Sequence, residues 1–186
     1  MRETDVLIVG AGPTGLSLGC QLIRYGIDFV LIDDKETTTP HSRAIGVQAR
    51  TLEIYEQIGI AKELIALGKP AELVRLIEGG EVRGEAVLKD IGGGLSPYPY
   101  MLVVDQGRHE ALLHKYITSN KREVDWQTHL DSFEQDGTGV SAVTTNRSGV
   151  SETIRAKYLV GCDGAKSSVR HALGLTFEGD TVERLF

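Results

Sequence analysis

The first apolar block of the chain, Val6-Leu7-Ile8-Val9, is short and mostly β-branched, the composition of a parallel strand covered on both faces. It runs through Gly10-Ala-Gly-Pro-Thr-Gly15 into a helical pattern that lasts to about Tyr25. Pro13 suits the first helical turn, where a missing N–H costs nothing. A second apolar run, Phe29 to Ile32, ends in Asp33, and a polar loop follows from Lys35 to Pro40. Helical spacing returns with Val47, Leu52, Ile54, Tyr55 and Ile58, stopping at Gly59, and again over Ala61 to Leu67, stopping at Gly68. The pattern then changes to alternation. Leu73, Arg75 and Ile77, the turn Glu78-Gly79-Gly80-Glu81, and Val82, Gly84, Ala86 and Leu88 predict a hairpin. A glycine- and proline-rich connection from Ile91 to Tyr100 leads to a short strand, Met101 to Val104. Gln106 opens a helix with Leu112, Leu113, Tyr116 and Ile117 at helical spacing. From Glu123 alternation resumes, and turns at Gly137-Thr-Gly139 and Asn146-Arg-Ser-Gly149 predict a strand followed by a β-meander. A last apolar strand from Tyr158 ends in Asp163-Gly164, with a short helix directly behind it.

Composition narrows the classes that such a chain can belong to. At 186 residues it has enough length for one domain with a sizeable core, and too little for the two or three domains of most dinucleotide enzymes. A net charge of -6 with 25% charged residues describes an acidic soluble protein, with no basic patch suited to nucleic acid. No apolar run reaches membrane-spanning length, and the first strand follows Met1 too closely for a signal peptide, so a cytoplasmic location without membrane partners is expected. Cys20 and Cys162 read as small packing residues, and neither they nor His109 and His114, taken as surface or helix-face histidines, have metal-ligand spacing. No metal is expected.

The chemistry starts at the glycines. Gly10, Gly12 and Gly15 have the G-x-G-x-x-G spacing: one for a tight turn, one for close approach of backbone to a pyrophosphate, one for close packing of helix on strand. The helix behind them, opened by Pro13 and Thr14, directs its free N–H groups at the phosphates. Asp33 lies roughly twenty residues after Gly10, the place for a carboxylate that takes a ribose 2′-OH. Asp34 beside it would repel a 2′-phosphate, so the bound nucleotide is expected to be FAD or NAD and not NADP; the bland alternative is a glycine-rich turn with no ligand. Arg43, just before a helix entry, is favoured as a contact to the ligand, while Arg50 is as easily a solvated surface arginine. Asp163 and Gly164 put a carboxylate and a permissive glycine at the carboxyl edge of a parallel sheet, where open α/β sheets bind ligands, although an Asp cap alone would look the same.

Taken together, Gly10-x-Gly-x-x-Gly15, Asp33, Arg43-Ala44 ahead of Thr51-Leu-Glu-Ile54, Gln106-x-x-x-Glu110 and Cys162-Asp-Gly-Ala-Lys-Ser-x-Val-Arg170 resemble the single-component flavoprotein aromatic hydroxylases. The likeness is nearest to the phenol, pentachlorophenol and polyketide hydroxylase branch, and it covers essentially the whole chain. It implies an α/β, Rossmann-like FAD-binding fold with a parallel sheet, a β-meander crossover and an inserted β-hairpin. It further implies that Gly10, Gly12 and Gly15 hold the FAD pyrophosphate and Asp33 the adenosine ribose. Arg43 and Gln106 would lie along the pyrophosphate and ribityl chain, and Asp163 and Gly164 near FAD and the reduced nicotinamide, with Ser167 and Arg170 steadying that turn. The family often has Glu then Arg where this chain has Asp33 and Asp34, which leaves an adenine contact from Asp34 in question.

The resemblance implies FAD as cofactor, NADH or NADPH as co-substrate, and transfer of one oxygen from a flavin hydroperoxide to a small aromatic substrate. No catalytic side chain is named, since the cofactor carries the hard step. Family members continue through a substrate-covering sheet and a second Gly-Asp motif that this sequence does not contain, so it is read as the amino-terminal part of a longer enzyme or as a truncated relative. On that division residues 1–70 and 98–175 form the FAD-binding domain, 71–97 are a hairpin belonging to the substrate region, and 176–186 begin the missing domain. Two other readings stay open: an FAD-dependent reductase, epoxidase or halogenase on the same fold, or a stand-alone flavin- or nucleotide-binding module. A plain NAD dehydrogenase fits less well, because strands and helices should keep alternating after Asp33.

Overall fold

The computed structural model describes residues 1–39, 46–89 and 91–179. In chain order the elements are β1 (Arg2–Val9), α1 (Pro13–Tyr25), β2 (Phe29–Asp33), β3 (Gly46–Val47), α2 (Ala49–Glu56), α3 (Ala61–Leu67) and β4 (Lys69–Pro70). There follow β5 (Leu73–Glu78), β6 (Glu81–Val87), β7 (Leu102–Val103), α4 (Gln106–Ser119), β8 (Asp125–Trp126), β9 (Thr128–Asp136), β10 (Gly139–Asn146), β11 (Ser151–Gly161) and α5 (Ser168–Ala172).

The main sheet has the order β8-β2-β1-β11-β10-β9, parallel from β8 to β11 and antiparallel beyond it. The four apolar residues of β1 are buried because both faces of the strand are covered. Side chains alternate across it: Val6 and Ile8 pack with α1, α2, α3 and α4, whereas Leu7 and Val9 share a second core with Val30, Ile32, Leu130, Ala142, Ile154, Ala156 and Val169. The antiparallel strands therefore fold back over the parallel sheet, bringing β9 against β2. The result is an α/β domain of three layers: helices, parallel sheet and meander.

Strand β11 belongs to both sheet layers. Its residues from Ser151 to Ala156 pair with β10, and those from Ile154 to Gly161 pair with β1. What the alternation pattern divides into a meander strand and a separate apolar strand is one continuous strand of 11 residues.

Two local expectations differ from the structure. Val47 is not part of the α2 stripe; it pairs with Leu102 in β3, and a small sheet of order β3-β7-β4 holds the chain on either side of α2 and α3. The hairpin β5–β6 forms with Gly79-Gly80 at its turn, but Val74, Leu76, Ile77, Val82 and Val87 are all exposed. An irregularity between Leu76 and Ile77 breaks the one-face alternation there.

Candidate functional site

At the carboxyl ends of β1, β2 and β11 lies a cleft of about 470 Å³. Its floor is the turn from Gly10 to Thr14, and the close approach of three segments fixes that turn. Gly10 holds φ at 104°, and a Cβ there would collide with the carbonyl oxygen of Cys162; a Cβ at Gly15 would collide with the carbonyl oxygen of Gly10. Gly12 differs, for nothing lies within 4 Å of where its Cβ would be, and it lines the cleft. Gly12 is also the N-cap of α1, which has no side-chain cap and no acid in its first turn. The first N–H groups of a 13-residue helix thus face the cleft at its positive end.

Asp33 closes β2 beside this floor. Its Oδ2 accepts from the Ala11 N–H at 2.5 Å and its Oδ1 from the Lys35 N–H at 2.8 Å, which holds the carboxylate against the glycine turn. Asp34, also on the wall, turns its carboxylate to His129 of β9, whose Nδ1 lies 3.0 and 3.2 Å from the two oxygens. On the opposite wall Asp163 Oδ2 accepts from the Ser168 N–H at 2.7 Å and from the Ser168 hydroxyl at 2.9 Å, while its Oδ1 is buried without a partner among the described residues. Ser167 caps α5 by accepting from the Arg170 N–H at 3.0 Å, and the Arg170 guanidinium donates to the Ala165 carbonyl at 2.9 Å. Gly164 lines the cleft with φ at 78°.

Burial pushes the Asp163 carboxyl up, but hydrogen bonds from Ser168 and the Val169 N–H, together with the neighbouring Ser167, outweigh it and hold the group below its ordinary 3.8. A carboxyl depressed by folding contributes stability above its unfolded pKa and loses it as pH falls through the folded value. Asp163→Asn is therefore expected to be less stable at neutral pH and to lose less stability than the parent on acidification below about pH 4, as followed by urea denaturation across a pH series.

Helix α4 supplies the next part of the wall. Gln106 donates to Glu110 Oε1 at 2.8 Å, and Glu110 Oε2 accepts from the Thr39 N–H at 2.7 Å, which ties the loop after β2 to the helix. Glu110 is fully buried. Cys162, read as a packing residue, lines the cleft, and its thiol is raised by burial and by the neighbouring Asp163. Cys20 is the core cysteine, pushed up to about 12 by burial. Arg43 lies outside the described residues.

A second cavity of about 260 Å³ adjoins the cleft, sharing Pro13, Thr14 and Gln106 with it. Beside Ser17, Tyr55 and His109 form a hydrogen-bonded chain: Ser17 Oγ to Tyr55 Oη at 2.5 Å, and Tyr55 Oη to His109 Nε2 at 2.8 Å. His109 is buried, not a surface histidine, and burial lowers its pKa against the opposing effect of Glu110. Burial likewise pushes the Tyr55 phenol up to about 12. The sequence pattern places Tyr55 in an apolar stripe; its hydroxyl is the one signal that this position also needs a polar partner. Tyr55→Phe removes the hydrogen-bond partner of both Ser17 and the buried His109, and a loss of about 1–2 kcal/mol is expected in a urea melt.

The residues present fit a dinucleotide. An uncapped helix N terminus, open space at Gly12, a carboxylate at the end of β2 and the side chain of Asp163 converge on one cleft. The model of the FAD binding domain matches residues 3–184. The chain belongs to the FAD-binding domain family of the flavin-dependent monooxygenases. It is 36% identical over 186 residues to a flavin-dependent monooxygenase of Mycobacteroides abscessus, covering 96% of this chain and 39% of the relative. It is 31% identical over 182 residues to pentachlorophenol 4-monooxygenase of Sphingobium chlorophenolicum, covering 97% of this chain and 34% of that enzyme. Among solved structures, p-nitrophenol 4-monooxygenase from Pseudomonas putida superposes with a TM-score of 0.88 at 25% identity, covering 98% of this chain and 46% of that one. The flavin-dependent monooxygenase PieE, solved with FAD and substrate, gives 0.85 at 29% identity, covering 96% and 33%. This FAD-binding domain thus spans about a third to two-fifths of the curated relatives it matches. No helix among its described residues is long and apolar enough to cross a membrane, and no group of three or more metal-ligating side chains occurs among them.

Proposed function

We propose that this domain holds the FAD of a monooxygenase that hydroxylates a small aromatic substrate with NADH or NADPH and O2, in the cytoplasm. The observation that carries the reading is the convergence of Gly12, Asp33 and Asp163 on one cleft, within a chain of the FAD-binding family. Gly12 and the first turn of α1 receive the pyrophosphate with backbone N–H groups, and Asp33 takes a ribose hydroxyl. Asp163, on the opposite wall, lies beside the part of the cofactor further along the cleft. Gln106 lies along the pyrophosphate and ribityl portion, with Gly164 beside the reduced nicotinamide. Bound FAD supplies the redox and oxygen chemistry; the protein positions it, excludes water and tunes its surroundings.

The hairpin β5–β6 and the Tyr98 to Tyr100 segment belong in this reading to the substrate side. Enzymes among the relatives bear the names pentachlorophenol 4-monooxygenase and 6-methylpretetramide 4-monooxygenase, both ring substrates, which supports an aromatic substrate class.

The reading is tested by titrating FAD into the chain, following flavin fluorescence and the emission of Trp126, with NAD in parallel. Saturable binding with FAD preferred is expected. Preference for NAD overturns the reading.

A further inference from the structure

The nucleotide cleft carries an electrostatic conflict. Asp33, Asp34, Glu110 and Asp163 all line it, in a chain of net charge -6, yet the ligand of the proposed function is itself an anion through its pyrophosphate. Among the described lining residues one side chain carries a permanent positive charge, Lys35. Its backbone is anchored from both sides: the N–H donates to Asp33 Oδ1 at 2.8 Å, and the carbonyl accepts from the Gln127 N–H at 2.9 Å. Gln127 holds a left-handed φ of 54° at that junction, a conformation the local fold imposes on a non-glycine residue.

From that anchor the side chain reaches back over the glycine turn. Lys35 Nζ lies 3.4 Å from the Ala11 carbonyl, 3.7 Å from Asp33 Oδ2 and 3.8 Å from Glu110 Oε2, with its ammonium 5.8 Å from the centre of the Trp126 ring. Both ion pairs are long, so the ammonium is shared among several partners and not committed to one carboxylate. Its side chain remains 38% exposed, which leaves N–H donors able to turn toward a ligand.

We propose that Lys35 is a pyrophosphate-binding residue, its ammonium taking a phosphate oxygen at the α1 N terminus while offsetting the charge of Asp33 and Glu110. The proposal rests on the reading of the cleft as a dinucleotide site. The bland alternative is a strap that only ties the end of β2 to α4 and positions Asp33. The two differ in which part of the ligand notices the lysine. A phosphate contact affects ADP and FAD and spares adenosine; a strap that sets the ribose carboxylate weakens all three together.

The experiment is isothermal titration of ADP, FAD and adenosine into the chain and into Lys35→Gln, Lys35→Met and Lys35→Arg, at low and high salt. Lys35→Met keeps an apolar stem of similar length without the charge and separates lost packing from lost charge. For both neutral variants ADP and FAD are expected to weaken about ten-fold at low salt, with adenosine within about two-fold of the parent, a less steep salt dependence, and most of the affinity restored by Lys35→Arg. ADP affinity equal to the parent's, or ADP and adenosine weakened alike, overturns the proposal alone. An unaltered chain that binds neither ADP nor FAD overturns the reading of the cleft and the proposal with it.

Discussion

Gly12→Val is expected to fold with a stability within about 1 kcal/mol of the parent, the difference being a poorer N-cap, and to bind FAD at least about 100-fold more weakly, a loss of about 2.7 kcal/mol. The backbone at Gly12 has φ -80° and ψ -174°, an extended conformation that any residue adopts, and no atom lies within 4 Å of the added Cβ. The added Cβ therefore meets no backbone or side chain. It projects instead into the cleft, in front of the first N–H groups of α1, where it displaces a pyrophosphate from donors that act only at hydrogen-bond distance. The check is a urea melt beside an FAD titration, and a valine variant with near-parental affinity would show that the phosphates lie elsewhere.

Gly15→Ala, three residues on, has the opposite expected result: loss of the fold, on the order of 3 kcal/mol or more, with FAD binding lost only as a consequence. The added methyl meets the carbonyl oxygen of Gly10, a backbone atom that cannot swing aside as a side-chain tip can. Relief requires α1 to lift from β1, which opens the core around Leu16 and Cys20. A parental urea midpoint for this variant would disprove the account. One sequence motif thus divides into a residue that faces the ligand and residues that hold helix to strand, and the two substitutions separate them.

The parts of this fold that were legible in sequence are those whose pattern is local. The run from Val6 through Gly15 to Tyr25 names its own strand, turn and helix, since an apolar run, a glycine spacing and a helix-compatible proline sit side by side. The turn at Gly79-Gly80 was legible for the same reason. Legibility fails where a partner distant in sequence decides. Val47 has an apolar side chain at helical spacing from Leu52 and Tyr55, but Leu102 recruits it into a strand. His109 sits on a helix whose pattern leaves its exposure open; its burial follows from Tyr55 of α2 reaching across to it. Glu110 could not be known as a buried acid, because its neighbours Thr39 and Lys35 come from the loop after β2. Likewise Cys162 reads as a packing residue, and only the pairing of β11 with β1 carries it to the edge of the cleft.

Strand β1 lies between β2 and β11, and its loop at Gly10 is closed on one side by Cys162. In a chain made from its amino terminus, β1 and β2 leave the ribosome early, while β11 follows about 150 residues later, roughly 8–30 s at ordinary elongation rates of about 5–20 residues per second. Throughout that interval the nascent β1 has one unpaired edge, and the turn meant for phosphate has no back wall. The wall behind Gly10 is therefore completed by a strand made about 150 residues after β1, and a nascent chain halted before Ser151 should not yet retain nucleotide. The slow step of folding is then expected to be insertion of β11 beside β1, a pairing of very high contact order, rather than formation of the glycine turn itself.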